Sequence, residues 1–228
     1  MKVSLKLGGH VIFDEQGLLK IELVRSYAET LRNLWSMGHK IHVVVGGGPP
    51  ARLIIAGARS VGCPEPICDE IGIEVSRINA RILQALLSDL AYPSIPKTYE
   101  ELKTSLSAEK MVICGGLYPG QSTTAVAALL AELIKADALI VATDVDGVYT
   151  EDPKRSPNAK KLEELSYSDL QSLLSRSSYE AGGYKLFDYV ALKVAERSKL
   201  TSYIIDGRDP NNLLRLLEGV KVGSRIHP

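Results

Sequence analysis

The sequence predicts an α/β protein built around a mostly parallel β-sheet. Short β-rich runs alternate with helical segments along the 228 residues, and such alternation produces βαβ crossovers, which join parallel strands. The runs at 111–114 and 138–143 are also almost entirely apolar. Strands of this composition are typical of a parallel sheet that helices cover on both faces.

Hydrophobic periodicity and turn residues delimit the individual elements. The first long helix carries Leu23, Tyr27, Leu31 and Leu34 at spacings of three and four, which places them on one face. Glycine marks helix ends, and proline is tolerated in a first helical turn. In chain order, the predicted elements are a strand at 3–7, a helix at 19–37, a strand at 40–45, helices at 49–62, 67–90 and 99–106, a strand at 111–114, a helix at 122–135, a strand at 138–143, helices at 165–175 and 186–199, a strand at 201–206 and a helix at 209–218.

The remaining segments are predicted to be mainly irregular. Residues 91–97 and the polar, turn-rich stretch that starts near residue 145 are predicted loops, and residues 176–183 are predicted to be flexible. Residues 223–228 are predicted to add a short strand at an edge of the sheet.

Charge and hydropathy argue against several classes of protein. The chain has 27 basic and 27 acidic residues, whereas dedicated nucleic-acid and membrane binders usually carry a basic excess. Neither an apolar signal core nor an apolar run of about 18 residues occurs. We therefore expect a cytoplasmic protein with no nucleic-acid and no membrane partner.

The cysteine pattern predicts reduced thiols and no structural zinc site. Cys63, Cys68 and Cys114 form an odd, sparse set, which is unlike a disulfide framework. A bond between Cys63 and Cys68 is the alternative. No Cys/His spacing suggests zinc, and no metal-binding residue is predicted.

Glycine clusters follow the predicted strands. They are Gly8-Gly9, Gly46-Gly47-Gly48, Gly115-Gly116 with Pro119-Gly120, and Gly147 after Asp146. In open α/β sheets, ligands collect outside the carboxyl ends of the strands, and glycine lets backbone N–H groups approach phosphate oxygens. The pattern predicts a phosphate-binding rim. Neither Walker A, dinucleotide-binding nor protein-kinase motifs occur, so phosphoryl transfer would use another scaffold.

Three charged side chains stand next to this predicted rim. Lys6 precedes the first glycine pair and is placed to reach a triphosphate as a point charge. Arg52, one turn into the helix after Gly48, is placed to clamp a phosphate. Asp69, near the start of the long helix, is placed to accept hydrogen bonds from sugar hydroxyls. The alternatives are a surface lysine on an edge strand for Lys6, a solvated helix arginine for Arg52 and, for Asp69, a first-turn carboxylate that the helix dipole favours.

A group of aspartates follows the strand at 138–143. Asp144, Asp146 and Asp152 flank Tyr149, and their carboxylates are suited to contact a nucleotide or hydrated Mg²⁺. The alternative is that they are turn-forming residues.

These motifs resemble those of the amino-acid-kinase superfamily and, within it, the archaeal-type uridylate kinases, almost from end to end. The matching segments are KLGG at 6–9, VGGGPPAR at 45–52, DEIGIEVSRINA at 69–80, GGLYPGQSTTAVAALLAE at 115–132 and ATDVDGVYTEDP at 142–153. The last two together are the most specific. The resemblance implies a three-layer αβα sandwich with nucleotides along the carboxyl edge of its sheet. It also implies transfer of the γ-phosphoryl group of ATP to UMP, with Mg²⁺, in pyrimidine nucleotide biosynthesis.

The resemblance also implies roles for individual residues. The implied catalytic residues are Lys6 and Arg52. The implied ATP-binding residues are Gly8, Gly9, His10, Gly48, Arg52, Thr143, Asp144, Tyr149 and Asp152. The implied UMP-binding residues are Gly47, Asp69, Leu117, Tyr118, Pro119, Gly120, Gln121, Ser122 and Thr123.

The family pattern further suggests how the chain is organised. We expect a single domain over residues 1–228, with an acceptor lobe at about 1–140 and an ATP lobe at about 141–228. Members of the family commonly form hexamers, so we expect a homo-oligomer, a trimer of dimers, with the helix at 67–90 at the dimer contact.

Three positions depart from the family pattern. His10 stands where relatives often carry Ser or Lys, Asp144 where archaeal relatives often have Asn, and Thr124 where many members have the Asp that organises the catalytic lysines. The role of that Asp is left unassigned. Lys193 is a candidate second catalytic lysine, and the alternative is a surface lysine.

Two rival functions remain open on the sequence. One is a kinase for another small acceptor, such as acetylglutamate, carbamate or isopentenyl phosphate. The segment GGLYPGQSTT favours UMP over these acceptors. The other rival is a non-catalytic nucleotide sensor or storage protein, which Thr124 keeps possible.

Overall fold

A computed structural model of the chain describes residues 1–151, 156, 158–176 and 187–228. Strands and helices alternate along most of these residues, as the sequence predicts. The strands are β1 (Lys2–Leu7), β2 (Lys40–Val45), β3 (Ile113–Cys114), β4 (Ala138–Thr143), β5 (Val148–Tyr149), β6 (Lys161–Leu162), β7 (Glu164–Ser166), β8 (Ser202–Asp206) and β9 (Ser224–His227). The helices are α1 (Gly9–Ile12), α2 (Ile21–Ser36), α3 (Gly48–Ser60), α4 (Glu65–Leu86), α5 (Tyr99–Leu106), α6 (Thr123–Ile134), α7 (Tyr167–Arg176), α8 (Tyr189–Arg197) and α9 (Asn211–Leu217).

The central sheet has seven strands within the described residues, in the order β3-β2-β1-β4-β8-β9-β7. The first five run parallel to one another, and Leu5 of β1 pairs with Val43 on one side and Ile140 on the other. Strand β9 runs antiparallel to β8, and β7 runs parallel to β9. The predicted α/β class with a mostly parallel sheet is confirmed.

Helices cover both faces of this sheet and make three layers. Along β4, Leu139 and Val141 pack into one core with α6 and α8, while Ile140 and Ala142 pack into the other core with α2. Successive side chains of a strand point to opposite faces, so a strand with helices on both sides is apolar throughout. This explains the unbroken apolar run of β4.

Side-chain caps fix where three helices begin. Thr98 accepts a hydrogen bond from the Glu101 N–H at α5, and Asp188 accepts one from the Ala191 N–H at α8. Ser122 accepts from the N–H groups of Thr124 and Ala125. Such caps satisfy backbone donors that have no partner inside the helix. The cap at Ser122 sets the start of α6 at the carboxyl edge of the sheet.

Several sequence predictions differ from the structure in their bounds. The predicted strand at the carboxyl terminus is β9, which lies between β8 and β7 and is therefore not at an edge. Leu165 and Ser166 belong to β7 and not to the following helix. The stretch after residue 145 contains the small antiparallel pair of β5 and β6. Helix α4 spans Glu65–Leu86, and the four-residue α1 is too short to show a periodicity.

The predicted flexible segment and the predicted absence of a membrane span can be compared with the structure only within the described residues. Most of the predicted flexible segment, residues 177–183, lies outside the described residues. In the part of the chain that the structure describes, no helix has the length and apolar composition needed to cross a bilayer.

Candidate functional site

The carboxyl ends of β1, β2 and β4 bring the first glycine clusters to one edge of the sheet. Backbone hydrogen bonds continue past the ends of these strands into the clusters. The Gly8 N–H donates to the Ala142 carbonyl at 3.0 Å, and the Gly46 N–H donates to the Leu7 carbonyl at 2.9 Å. Since all three strands are parallel, the glycines form a continuous rim.

Gly9 and Gly48 bring two backbone segments of this rim into close contact. A Cβ atom on Gly9 would lie 2.6 Å from Gly48 Cα, and one on Gly48 would lie 2.7 Å from Gly9 Cα. Gly48 also has a φ of +63°, which favours glycine. The contact therefore requires glycine at both positions, and it sets the start of α3, where helix N–H groups favour anions.

Lys6 places a cation beside the rim. Ser4 and Lys6 lie on the same face of β1, and the Ser4 hydroxyl donates to the Ala127 carbonyl of α6 at 2.8 Å. Lys6 therefore lies on the α6 side, closer to the start of that helix. Burial lowers the pKa of Lys6 to about 8, and the negative charge of Asp144 acts in the opposite direction. Its ammonium group has no hydrogen bond or ion pair to any described residue.

His10, Thr143 and Asp144 form a cluster next to Lys6. His10 Nε2 lies 3.0 Å from Thr143 Oγ1 and 3.3 Å from Asp144 Oδ1. This cluster joins α1 to the end of β4. The structure thus brings together three residues that the sequence analysis associates with ATP.

The other predicted ATP residues have different surroundings. Arg52 is exposed in the second turn of α3 and has no ion pair with the residues that the structure describes. The Tyr149 hydroxyl donates to Asp146 Oδ1 at 2.7 Å, and Lys161 Nζ lies 3.1 Å from Asp146 Oδ2. Asp146 therefore links β5 to β6 through these two side chains. Asp152 lies outside the described residues.

A cleft of about 330 Å³ opens beside the rim, between α4 and the segment at 116–123. A hydrogen bond joins the two sides of this cleft, because Asp69 Oδ2 on α4 accepts from the Gly120 N–H at 3.2 Å. Eight of the nine residues that the resemblance implies for UMP binding line this cleft. They are Gly47, Asp69, Tyr118, Pro119, Gly120, Gln121, Ser122 and Thr123.

Leu117 and Lys193 do not have the surroundings expected of them. The Leu117 side chain is 3% exposed and packs in the core on the α6 side. It therefore points away from the cleft. Lys193 Nζ donates to Glu196 Oε2 at 2.8 Å and to Gln171 Oε1 at 3.3 Å. This pairing between α7 and α8 accounts for the lysine as a surface residue, and we assign it no catalytic role.

Helix α4 fixes the glycine loops through three side chains that the sequence analysis did not single out. Asn79 Nδ2 donates to the carbonyls of Gly46 and Gly47 at 2.9 and 3.1 Å. Ser76 Oγ accepts a hydrogen bond from the Gly116 N–H at 2.7 Å. Both side chains are almost fully buried. Polar residues on the apolar face of a predicted helix are the signal that identifies such positions.

Arg77 is the third of these side chains, and its guanidinium joins two loops. Nε donates to the Gly116 carbonyl at 3.1 Å, and Nη2 donates to the carbonyls of Leu117 and Lys97 at 3.1 and 2.8 Å. The side chain is 12% exposed. A planar guanidinium with several fixed donors holds carbonyl groups in a defined arrangement, so Arg77 fixes one wall of the cleft.

The fold and the site define a class of α/β protein in which a glycine-lined rim at the carboxyl edge of the sheet lies beside a separate cleft. The model of the amino acid kinase family matches residues 1–206, and the chain belongs to this family. It is 41% identical to the uridylate kinase of Methanothermobacter thermautotrophicus over 228 residues, which cover both chains completely. It is 42% identical to the uridylate kinase of Sulfurisphaera tokodaii, again with full coverage of both chains.

Solved structures of similar proteins share the fold. The crystal structure of uridylate kinase from Archaeoglobus fulgidus matches 99% of this chain and 100% of that chain, with a TM-score of 0.87 and 39% identity. The structure of UMP kinase from Bacillus anthracis matches with a TM-score of 0.80 at 23% identity, a level at which the likeness concerns the fold alone.

Proposed function

We propose that this protein is a UMP kinase, which transfers the γ-phosphoryl group of ATP to UMP and releases UDP and ADP. The observation that carries this proposal is the adjacency of the rim and the cleft. Gly47 lines the cleft, while its neighbour Gly48 contacts Gly9 at the rim. Two phosphorylated ligands bound at these two places would meet end to end. The full-length relatives named uridylate kinase support UMP as the acceptor.

The reaction needs little covalent participation by the protein. An oxygen of the UMP phosphate attacks the γ-phosphorus and forms the new P–O bond. The bond from that phosphorus to the β–γ bridging oxygen breaks, and ADP leaves with the electron pair. Because the UMP phosphate is already ionised at neutral pH, no general base is required. The protein therefore acts by holding the two groups in line and by neutralising charge.

The residues proposed for charge neutralisation are Lys6, Arg52 and the rim glycines. Lys6 has no hydrogen bond or ion pair to the described residues, and Arg52 is exposed on the helix that begins at Gly48. The N–H groups at the start of α3 add fixed partial charges. Donors that are already in place stabilise developing charge without reorganising.

Mg²⁺ is proposed to arrive with ATP. Within the described residues, no group of three His, Cys, Asp or Glu side chains could hold a metal ion. Mg²⁺ in kinases is commonly held through substrate phosphates with only one or two protein carboxylates, so a cluster of three protein ligands is not required. When bound, the ion would neutralise negative charge on the phosphates.

The chain is proposed to divide near residue 140 into a UMP-binding lobe and an ATP-binding lobe. The cleft residues, which precede residue 140, would bind UMP. His10, Thr143, Asp144 and Tyr149 would contact ATP together with the part of the chain after residue 140. The proposed place of the reaction is pyrimidine nucleotide synthesis.

A coupled assay of ADP release tests the proposed activity. The acceptor panel contains UMP, CMP, acetylglutamate, carbamate and isopentenyl phosphate, each with ATP and Mg²⁺. We expect the highest kcat/KM with UMP. Turnover with a non-nucleotide acceptor alone would contradict the proposal, and tight nucleotide binding without ADP release would favour a sensor or storage protein.

The protein is also proposed to form a homo-oligomer, a hexamer built as a trimer of dimers. Ile67 and Ile78 are 41% and 60% exposed and lie three helical turns apart on α4. Leu53 and Ile54 of α3 are also more than half exposed, and α3 packs against α4. Apolar side chains gathered on two neighbouring helices indicate a protein contact surface.

A further inference from the structure

A second cavity, of about 450 Å³, lies at the amino end of the sheet. Lys40, the first residue of β2, lines it, whereas the rim begins at Gly46, directly after the last residue of that strand. Gly46 follows Lys40 by six residues, which is about 20 Å of extended chain. The other walls come from the last turns of α2, α5 and α6. This amino-end cavity is therefore separate from both the rim and the cleft.

The lining of the amino-end cavity has an excess of positive charge. Its lysines include Lys40, Lys110 and Lys135, and Glu109 is the single carboxylate among the residues that line it. None of these three lysines forms an ion pair with a residue that the structure describes. Lysine binds phosphate as a compact point charge. An excess of at least two positive charges matches a dianion, such as a phosphate monoester, better than a single carboxylate.

Apolar side chains form much of the remaining lining. The Trp35 ring stands edge-on to His42, with the ring centroids 6.3 Å apart, and Leu106, Leu133 and Ile134 add aliphatic surface. These four apolar residues are only partly buried. Cavities of this volume, with apolar walls and a few polar groups, are the usual sites for small organic molecules. A matching ligand therefore has an apolar portion beside its anion.

His42 contributes a hydrogen-bond donor to the same lining. Its Nδ1 accepts from the Val112 N–H at 3.0 Å, so the proton of the neutral ring is on Nε2. Burial lowers the pKa of His42 to about 4, and the charge of Lys40 acts in the same direction. Nε2 has no hydrogen bond to any described residue. Because His42 lines the cavity and keeps 8% of its surface exposed, the Nε2–H group is free to donate to a ligand.

We propose that the amino-end cavity binds a small phosphate monoester that carries an apolar group. The lysine ammonium groups would hold the phosphate dianion, and His42 Nε2–H would donate to one of its oxygens. The apolar group would pack between Trp35 and the ends of α5 and α6. This inference goes beyond the proposed function, because binding at this place requires neither UMP nor turnover.

Trp35 is the only tryptophan of the chain, so its fluorescence reports directly on this cavity. The probes are phenyl phosphate, inorganic phosphate, which lacks the apolar group, and benzyl alcohol, which lacks the charge. We expect phenyl phosphate to change the emission of Trp35 saturably. In calorimetric titration it should bind at least about 10-fold more tightly than either partial probe, as expected for burying an aromatic ring or pairing a charge. Saturating UMP or ATP should alter this affinity by less than about twofold, since the sites are separate.

Three variants and one control locate the probe. Lys135→Met should weaken phenyl phosphate binding by about 10-fold, and Lys135→Arg, which keeps the charge, should restore most of the affinity. Lys199→Met is the matched control, because Lys199 is also exposed, has the same φ of +49° and is absent from the cavity lining. His42→Asn keeps an acceptor for the Val112 N–H but removes the Nε2 donor, so it should also weaken binding. Thermal melting reports whether each variant has folded.

Equal affinities for phenyl phosphate and inorganic phosphate would overturn the inference, because they indicate unselective attraction of anions. Displacement of phenyl phosphate by UMP or ATP would also overturn it, since the probe would then occupy the proposed kinase site. Unchanged binding in folded Lys135→Met would have the same consequence. The proposed function fails separately, because absent UMP turnover with intact phenyl phosphate binding would refute only the kinase activity.

Discussion

At the scale of single residues, Lys6 is partly buried and has no hydrogen bond or ion pair to the residues that the structure describes. We expect Lys6→Ala to lower kcat by about 10²- to 10³-fold, the usual effect of removing one charge-stabilising group from an active site. The fold should survive, because an ammonium whose pKa is lowered by burial is unfavourable in the folded state at neutral pH. Steady-state kinetics and thermal melting measure the two effects.

Lys2→Ala is the matched control for this variant. Lys2 lies at the opposite end of β1 and is exposed, so its removal should leave kcat unchanged. Near-normal turnover in Lys6→Ala would refute a catalytic role for the ammonium.

The pKa of Lys6 predicts a pH dependence of activity. It is lowered from the ordinary 10.5 to about 8 by burial, and the proposed role requires the protonated form. We therefore expect kcat/KM for ATP to be highest below pH 8 and to fall as the pH rises through about 8. Asp144→Asn removes a charge that raises this pKa, so the fall should move to lower pH. A pH–rate profile measures both midpoints.

Lys6→Arg tests the origin of this alkaline fall. Guanidinium stays charged across the accessible pH range, so any remaining activity of this variant should not decline near pH 8. A profile that is the same in the wild type, Asp144→Asn and Lys6→Arg would show that another group controls the rate.

At the scale of elements, helix α4 holds the loops that form the cleft. Arg77 donates to carbonyls of both the 97 and the 116–117 segments, and hydrogen bonds from a charged donor stabilise by about 1.5–3 kcal/mol each. We expect Arg77→Met to raise KM for UMP about 10-fold and to lower Tm, while KM for ATP changes little. Initial rates with each nucleotide varied in turn provide the measurement.

Arg81→Met provides the comparison one turn further along α4. Arg81 donates to the Pro93 carbonyl and to Gln84 Oε1, and it has no hydrogen bond to the cleft loops within the described part of the chain. We expect near-normal KM values in this variant. If Arg77→Met raised the KM for UMP and the KM for ATP equally, the arginine would support the whole site and not only the wall of the cleft where UMP is proposed to bind.

The contact between the loops after β1 and β2 depends on glycine. A Cβ atom on Gly9 would overlap the backbone at Gly46 and Gly48, so we expect Gly9→Ala to displace one loop and to abolish most turnover. Gly57→Ala is the control, because a Cβ atom there meets nothing within 4 Å in the interior of α3. Alanine in place of a helical glycine should stabilise by about 0.5–1 kcal/mol. Chemical denaturation and ADP release distinguish the outcomes, and normal turnover in Gly9→Ala would show that the loops can adjust.

At the scale of the whole molecule, the apolar surface on α3 and α4 predicts self-association. Ile78 is 60% exposed on α4, and a charge placed in a buried contact would have no partner. We expect Ile78→Glu to shift the particle to a smaller mass in light scattering. Met37→Glu changes a similarly exposed residue after α2 and should leave the mass unchanged. A monomeric wild-type protein at micromolar concentration would contradict the proposed assembly.

Much of this architecture is predictable because local sequence carries the signals. The unbroken apolar run of β4 and the glycines after β1 and β2 predict a parallel sheet with a phosphate-binding edge. The β7 strand was missed because three residues are too few to show an alternation. The clamp by Arg77 was missed because its acceptors lie 20 to 40 residues away along the chain, and nothing local indicates which carbonyls an arginine will meet.

Local sequence signals suffice for the fold class and the glycine edge, because periodicity, glycine and parallel strands act through local backbone preferences, whereas most of the residues that line the cleft were implied by the resemblance to the family. The tertiary structure set the orientation and the partners of individual side chains. It turned Leu117 into the core, paired Lys193 with Glu196 and left the acceptor of Gln121 unpaired among the described residues. Those outcomes depend on how distant elements pack against one another, and packing between distant elements leaves no periodic trace in the sequence.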